Sequence, residues 1–253
     1  MITKPKYVII SFWVSLFIQF VTTYITTKGI FIADKLHHSD KILKDILIGE
    51  TAVQLIEFSL YIYLAFLVTF KSLSLSSAVH LRYFDWFLTT PTMLISLIMY
   101  MQYDNEKSKE KPNEMDDYIT SYSFMKDYKF LIILLILSNA LMLLFGYLGE
   151  TKRINKEKSI TVGFAFFFIT FYIIREKFGK SSETNLRLFN STFVLWGLYG
   201  VAALQNDALK NICYNILDLL SKNFYGIFLV LYVHNKVSYQ SLAHKQSEQQ
   251  VVG

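Results

Sequence analysis

Stretches of about 20 predominantly apolar residues, the length an α-helix needs to cross the core of a bilayer, recur along this chain. They fall at roughly 7–30, 46–70, 77–101, 128–149, 159–178, 188–206 and 211–234, which predicts seven membrane spans. The runs are long rather than alternating, and only three prolines and ten glycines interrupt the 253 residues, which favours helices over a barrel. The predicted fold class is an all-α membrane protein, a single seven-helix bundle over 1–253 with a lipid bilayer around it.

Composition agrees: 53% of residues are hydrophobic, 17% aromatic and only 18% charged, with a mean hydropathy of +0.34. Soluble domains are more charged than this. A net charge of +5 and a pI near 9.0 could suggest nucleic acid. The lysines, however, lie in the gaps between apolar runs and form no aromatic-studded patch, so no nucleic-acid partner is expected. Cys213 is the single cysteine, which excludes an internal disulfide and a cysteine-built metal site, and no metal is expected.

The first apolar run continues through Tyr24 without a small-residue cleavage site and reads as an uncleaved span rather than a signal peptide. The longest polar insert, 103–127, reads as a surface loop with room for a short amphipathic piece. Residues 205–211 read as a tight joint between the last two spans, and the tail after His234 as polar and frayed. A modest excess of Lys and Arg in the loops on one side predicts an extracellular N-terminus, although Lys152, Arg153, Lys156 and Lys158 then lie outside.

Charge inside such runs demands an explanation, because a buried charge in a spanning helix is costly unless paired or hydrated. The stretch RYFDWFLTTP, 82–91, puts Arg82, Asp85 and Thr89 on one face of the third span. The seventh, NICYNILDLLSKNFYGIFLVLYV, carries Asp218 and Lys222 four residues apart. One reading is a helix-end pair snorkelling to the interface. The other is a buried amine kept for covalent chemistry with a carbonyl compound, since desolvation favours the neutral, nucleophilic form. Asp85 and Asp218 can then meet one positive nitrogen, and with Arg82 the four charges form a near-neutral group whose burial is tolerable. Tyr83, Trp86 and the run Thr89, Thr90, Pro91 add hydroxyls and an aromatic wall.

RYFDWFLTTP and LDLLSK together resemble the third- and seventh-helix signatures of the microbial rhodopsins, and the resemblance spans nearly the whole chain. It implies all-trans retinal in the core of the bundle, held as a Schiff base on Lys222, with Asp85 as counter-ion and proton acceptor and Asp218 as a second counter-ion. FVLWGLYGVAAL is similar to the sixth helix, which puts Trp196 and Tyr199 against the polyene. Trp86 and Trp196 are then the two sides of a sandwich, and Tyr199 reaches toward Asp218. Gly200 and Ala203 replace the family's usual proline and second tryptophan, which loosens the ring end of the pocket. In SNALMLLFG, Asn139 is implied as a polar partner of Thr90, Met142 as a ring contact and Gly146 as a close-packing glycine. Tyr83 and Thr90 join the pocket wall, and Met93 stands where the family tunes colour, implying green rather than blue absorption. The family forms trimers and pentamers, so a homo-oligomer is expected, its number unread.

The resemblance also sorts function, and no enzyme is expected. Asp85 argues against chloride pumps, which put a neutral residue there. The triplet Asp85, Thr89, Ser96 departs from the Asn and Gln of sodium pumps and looks like a giant-virus branch. Efficient proton pumps carry a carboxylic acid where Ser96 stands, about 16 Å along the helix from Asp85. A serine hydroxyl cannot reprotonate the Schiff base near neutral pH. Glu50 and Glu57, seven residues apart, share a face of the second span. Glu50 is either at a water-facing helix end or beside Ser96 as a surrogate donor, and Glu57, deeper, is a candidate pore or gate residue. Two transport readings follow: an outward proton pump, favoured by a narrow margin by Asp85 with Arg82, and a light-gated channel for protons or other monovalent cations, favoured by Ser96, Glu50 and Glu57. A sensory receptor acting through a membrane partner is a third class. His80 near Arg82 is a minor candidate for proton release, and no glutamate pair marks that group.

Overall fold

The computed structural model describes residues 5–109 and 118–252, so the middle of the polar insert, 110–117, lies outside the described residues. The described chain is helical, with no strand: α1 (Lys6–Ala33), α2 (Ile42–Phe70), α3 (Leu75–Lys109), the short α4 (Ser121–Asp127), α5 (Lys129–Glu150), α6 (Lys156–Ile174), α7 (Glu183–Ala203), α8 (Asp207–Asp218) and α9 (Phe224–Val252). A π-helical turn, Leu219–Asn223, joins α8 to α9 in one rod. Counting that rod once and leaving out α4, seven long helices form the bundle. α1 packs on α2 and on the α8–α9 rod, α3 on α2 and α5, and α6 on α5.

The bundle is arranged for lipid. α1 turns Tyr7, Phe17, Phe20, Tyr24 and Phe31 outward and buries Ser15, Gln19, Thr22, Thr23 and Thr26. Five segments are apolar and long enough to cross a membrane: Lys6–Ala33, His38–Phe70, Lys129–Glu150, Lys156–Gly179 and Asp207–Ala243. The other two long helices, α3 and α7, are more polar. In α3 the polarity is turned inward, since Arg82, Asp85, Thr89, Thr90 and Ser96 are all buried. Such side chains are tolerable only where protein, not hydrocarbon, surrounds them.

Local sequence sets the helix ends. The side chains of Asn155, Ser182 and Asn206 accept the backbone N–H of Glu157, Asn185 and Leu209, capping α6, α7 and α8. Thr120 and Ser123 form a reciprocal capping box at α4.

Three connections differ from the sequence reading. α3 runs on to Lys109, eight residues past the expected end of the span, because the polar continuation finds partners. Tyr103 donates to Asp40 Oδ1 at 2.6 Å, and Asp104 accepts from Ser182 at 2.6 Å. Of the joint 205–211, only residues up to Asn206 connect, and Asp207 opens α8. The tail is not frayed, since α9 continues to Val252. Past His234 it holds no Gly or Pro before Gly253, and Gln240 anchors it to Asp40 Oδ2 at 2.5 Å.

Candidate functional site

Lys222 lies in the π-helical turn, 1% exposed, at the centre of the bundle. Its Nζ is 2.6 Å from Asp85 Oδ2, 3.6 Å from Asp218 Oδ1 and 3.8 Å from Glu57 Oε1. α3, the α8–α9 rod and α2 thus each bring one carboxylate to the same amine. The interface-snorkelling reading is excluded, since the lysine and its partners are all buried. The charge count also changes: Lys222 and Arg82 face three acids, not two, leaving one negative charge in excess if all are ionised.

Arg82 sides with Asp218. Its Nη1 donates to Asp218 Oδ2 at 2.8 Å and to the Tyr61 hydroxyl at 2.7 Å, and its Nη2 donates to Asn215 Oδ1. The guanidinium carbon lies 4.8 Å from the Tyr61 ring centroid and 5.3 Å from that of Phe12, within cation–π range. Asp218 also accepts from Tyr61 and Tyr199, both at 2.8 Å, and from Trp86 Nε1 at 3.4 Å. Asp85 has Lys222 as its one hydrogen-bond donor, at Oδ2, while its Oδ1 is buried without a donor. Thr89, on the same face of α3 as Asp85, donates to the Asp85 backbone carbonyl at 2.8 Å. This back-bond one turn down its own helix satisfies the hydroxyl locally.

From Lys222 an apolar cavity of about 910 Å³, including its open mouth, runs toward α5 and α6. Trp86 and Trp196 border it, with Tyr83, Thr90, Met93, Met142, Gly146, Tyr199, Gly200 and Ala203 along its length. Asn139 Nδ2 donates to Thr90 Oγ1 at 2.7 Å behind the wall. A Cβ on Gly146 would press on the Tyr83 hydroxyl at 2.9 Å, so this glycine holds helix against ring. The donor set suits a long apolar carbonyl compound: one amine at the closed end, aromatic faces along the walls, little polarity between. Retinal, which the sequence resemblance implies, fits those residues.

A second feature runs beside the cavity. Ser15, Gln19, Thr22 and Thr26 of α1, Gln54, Glu57 and Tyr61 of α2, and Asn215 and Asn223 of the rod are buried and joined by hydrogen bonds across these three helices. Asn215 Nδ2 donates to Ser11 at 2.8 Å, Gln19 Nε2 to Glu57 Oε1 at 3.4 Å, and Asn223 Nδ2 to Thr22 at 2.8 Å. Farther along, Glu50 is fully buried and accepts from the Ser96 hydroxyl, which removes the reading of Glu50 as a helix-end, water-facing acid.

Sequence reasoning did not single out Tyr61, Gln54, Gln19, Asn215 and Asn223. A signal was present: Ser15, Gln19, Thr22, Thr26 and, on α2, Glu50, Gln54, Glu57, Tyr61 both step by four, three and four residues, one helical face each. It also missed Lys210, which is 3% exposed and donates to both oxygens of Glu150, at 2.9 and 2.7 Å, tying α8 to the end of α5. His80 is at this same end, with its ring Nε2 3.3 Å from the Glu150 carbonyl rather than on Arg82.

Comparison with known proteins agrees with the fold. The chain is similar to the viral rhodopsin OLPVRII, at 26% identity over 89% of this chain and 97% of that one, with a TM-score of 0.74. It shares its fold with the blue light-absorbing proteorhodopsin from Med12, at 19% identity over 90% of this chain and 97% of that one, TM-score 0.66. The same holds for the light-driven proton pump Coccomyxa subellipsoidea rhodopsin, at 16% identity over 90% and 98%, TM-score 0.64. A search of the curated proteins finds no match. The family model for bacteriorhodopsin-like proteins matches residues 8–236, from the first turn of α1 to near the middle of α9. The chain therefore belongs to the bacteriorhodopsin-like family, the microbial rhodopsins, and is an integral multi-pass membrane protein near the viral branch of that family.

Proposed function

We propose that this rhodopsin is a light-gated channel for protons and other monovalent cations, with its N-terminus outside. The sequence alone favours a pump by a narrow margin. The single observation that carries the channel reading is the buried polar seam between α1, α2 and the α8–α9 rod, which passes directly by Lys222. Retinal bound to Lys222 Nζ supplies light absorption and a photo-driven reorientation of that nitrogen.

Asp85 is the acceptor of the Lys222 proton, being the nearest carboxylate at 2.6 Å and having an oxygen without another donor. Asp218 is held by Arg82, Tyr61 and Tyr199 and serves as a fixed negative charge. Glu57 belongs to both systems, 3.8 Å from Lys222 Nζ and bonded to Gln19. Any displacement of the Lys222 charge is felt by Glu57, whose bond to Gln19 joins α2 to α1. Gln19 Oε1, Thr23 Oγ1, Glu57 Oε2 and Asn223 Oδ1 are buried oxygens with no protein donor. Such acceptors accommodate water or a cation in transit.

The pump remains the second reading: Asp85 beside Lys222 suits a proton acceptor, and Glu50, bonded to Ser96, suits the surrogate donor. Photocurrent against voltage at several cation gradients decides between them. The channel current is expected to reverse sign near the cation equilibrium potential. A current of constant sign across the range would establish the pump, and absence of current would favour a sensor. For Asp85→Asn, the absorption maximum is expected to move to the red, because a negative charge is lost from beside the nitrogen at 2.6 Å. An unmoved spectrum would remove Asp85 as counter-ion.

A further inference from the structure

Lys222 is held by its backbone as well as by its amine. Its carbonyl oxygen accepts a hydrogen bond from Gln54 Nε2, at 3.3 Å, across the interface between α2 and the rod. This carbonyl belongs to the π-helical turn Leu219–Asn223, where the regular i to i−4 ladder is re-registered. Gln54 Oε1 in turn faces the Thr26 hydroxyl at 3.1 Å, whose one proton it shares with the Thr23 carbonyl, also at 3.1 Å. Both ends of the amide therefore have a partner, and the residue is fully buried.

The contact depends on a glycine. A Cβ on Gly226 would collide with Gln54 Nε2 and would come within 3.0 Å of Thr26 Cγ2 and 3.2 Å of Gln54 Cδ. No other residue type at 226 leaves the amide where it is. On α2, Gln54 lies four residues after Glu50 and three before Glu57, on the same buried face.

We infer that Gln54 is a positioning residue, seated by Gly226, that clamps the Lys222 carbonyl and so transmits movement of the Lys222 turn to the α2 face bearing Glu50 and Glu57. The inference rests on the reading of Lys222 as the attachment point, and it deepens that reading by naming the mechanical link between lysine and seam. Light-driven displacement of the Lys222 main chain then pulls on Gln54 through this bond, whose geometry is that of the dark state. The bond therefore favours return to that state.

The test reads the carbonyl directly. Lys-Asn occurs only at 210–211 and 222–223, so 13C′-lysine with 15N-asparagine labelling of the whole protein leaves two pair-selected carbonyl signals in solid-state NMR. Gln54→Leu removes the donor, and Gly226→Ala displaces it without touching its chemistry. Each is expected to move the Lys222 carbonyl resonance upfield, as loss of a hydrogen bond does, and to leave that of Lys210 in place. Each is also expected to slow dark-state recovery after a flash by roughly 2- to 12-fold, the worth of one net hydrogen bond, and the double variant by no more than either single one.

A Lys222 resonance unmoved in both variants overturns the clamp, and a moved resonance with unchanged recovery overturns its role in transmission. Should Gln54→Leu fail to fold, Gly226→Ala alone carries both measurements. A protein that forms pigment and recovers as described but passes no current would refute the channel while leaving the clamp standing.

Discussion

Lys222→Ala is expected to lose the visible absorption band entirely when the purified protein is supplied with retinal. Of the two lysines that line the cavity, Lys222 has three carboxylates within 3.8 Å of its amine, whereas Lys156 stands at the start of α6. Deleting the Lys222 amine has a second consequence. Asp85, Asp218 and Glu57 then share one buried cation, Arg82, which touches only Asp218 among them. Lys222→Arg separates the two effects: the guanidinium keeps a positive charge beside Asp85 but forms no stable linkage to an aldehyde. It is expected to be as colourless as the alanine variant and to unfold at a higher temperature. A persistent visible band in either protein would show that the chromophore is attached elsewhere.

Arg82→Gln carries the largest expected loss of stability. Arg82 is fully buried, packed beside the rings of Phe12 and Tyr61, and donates to Asp218, Tyr61 and Asn215. Removing one partner of a buried ion pair typically costs about 3–5 kcal/mol, because the other charge remains buried without compensation. Here Lys222 at 3.6 Å and three further donors still face Asp218, which places the expected cost near the lower end. Thermal unfolding of the purified pigment, followed by loss of colour, measures it. Adding Asp218→Asn should recover part of the loss, since the stranded charge is then gone. Equal unfolding temperatures for Arg82→Gln and the parent would mean that the pair contributes nothing.

Much of the bundle was legible before any coordinates. Apolar runs of spanning length report on the solvent, lipid, and nearly any such run becomes a helix there. The weaker points were all polar. α3 passes Tyr103 because Asp40 and Ser182 wait for it on other helices, and α9 continues past His234 because no Gly or Pro stops it there and Gln240 reaches Asp40. Neither partner is visible from the segment itself.

The candidate site divides along the same line. That Arg82 and Asp85, and likewise Asp218 and Lys222, share a helix face could be read from spacing, because the helical period of 3.6 is a local property of the chain, whereas Glu50 stayed open between a water-facing end and the interior. Which of these residues meet could not be read. Arg82 joins Asp218 rather than Asp85, Glu57 comes to Lys222 as a third acid, Thr89 turns to its own backbone, and Gln54 crosses to the Lys222 carbonyl. These partners are drawn from residues up to 168 positions apart in sequence. Their pairing depends on how helices cross and how far each slides along its neighbour, and differences of one or two ångströms there decide whether a charge is paired or stranded.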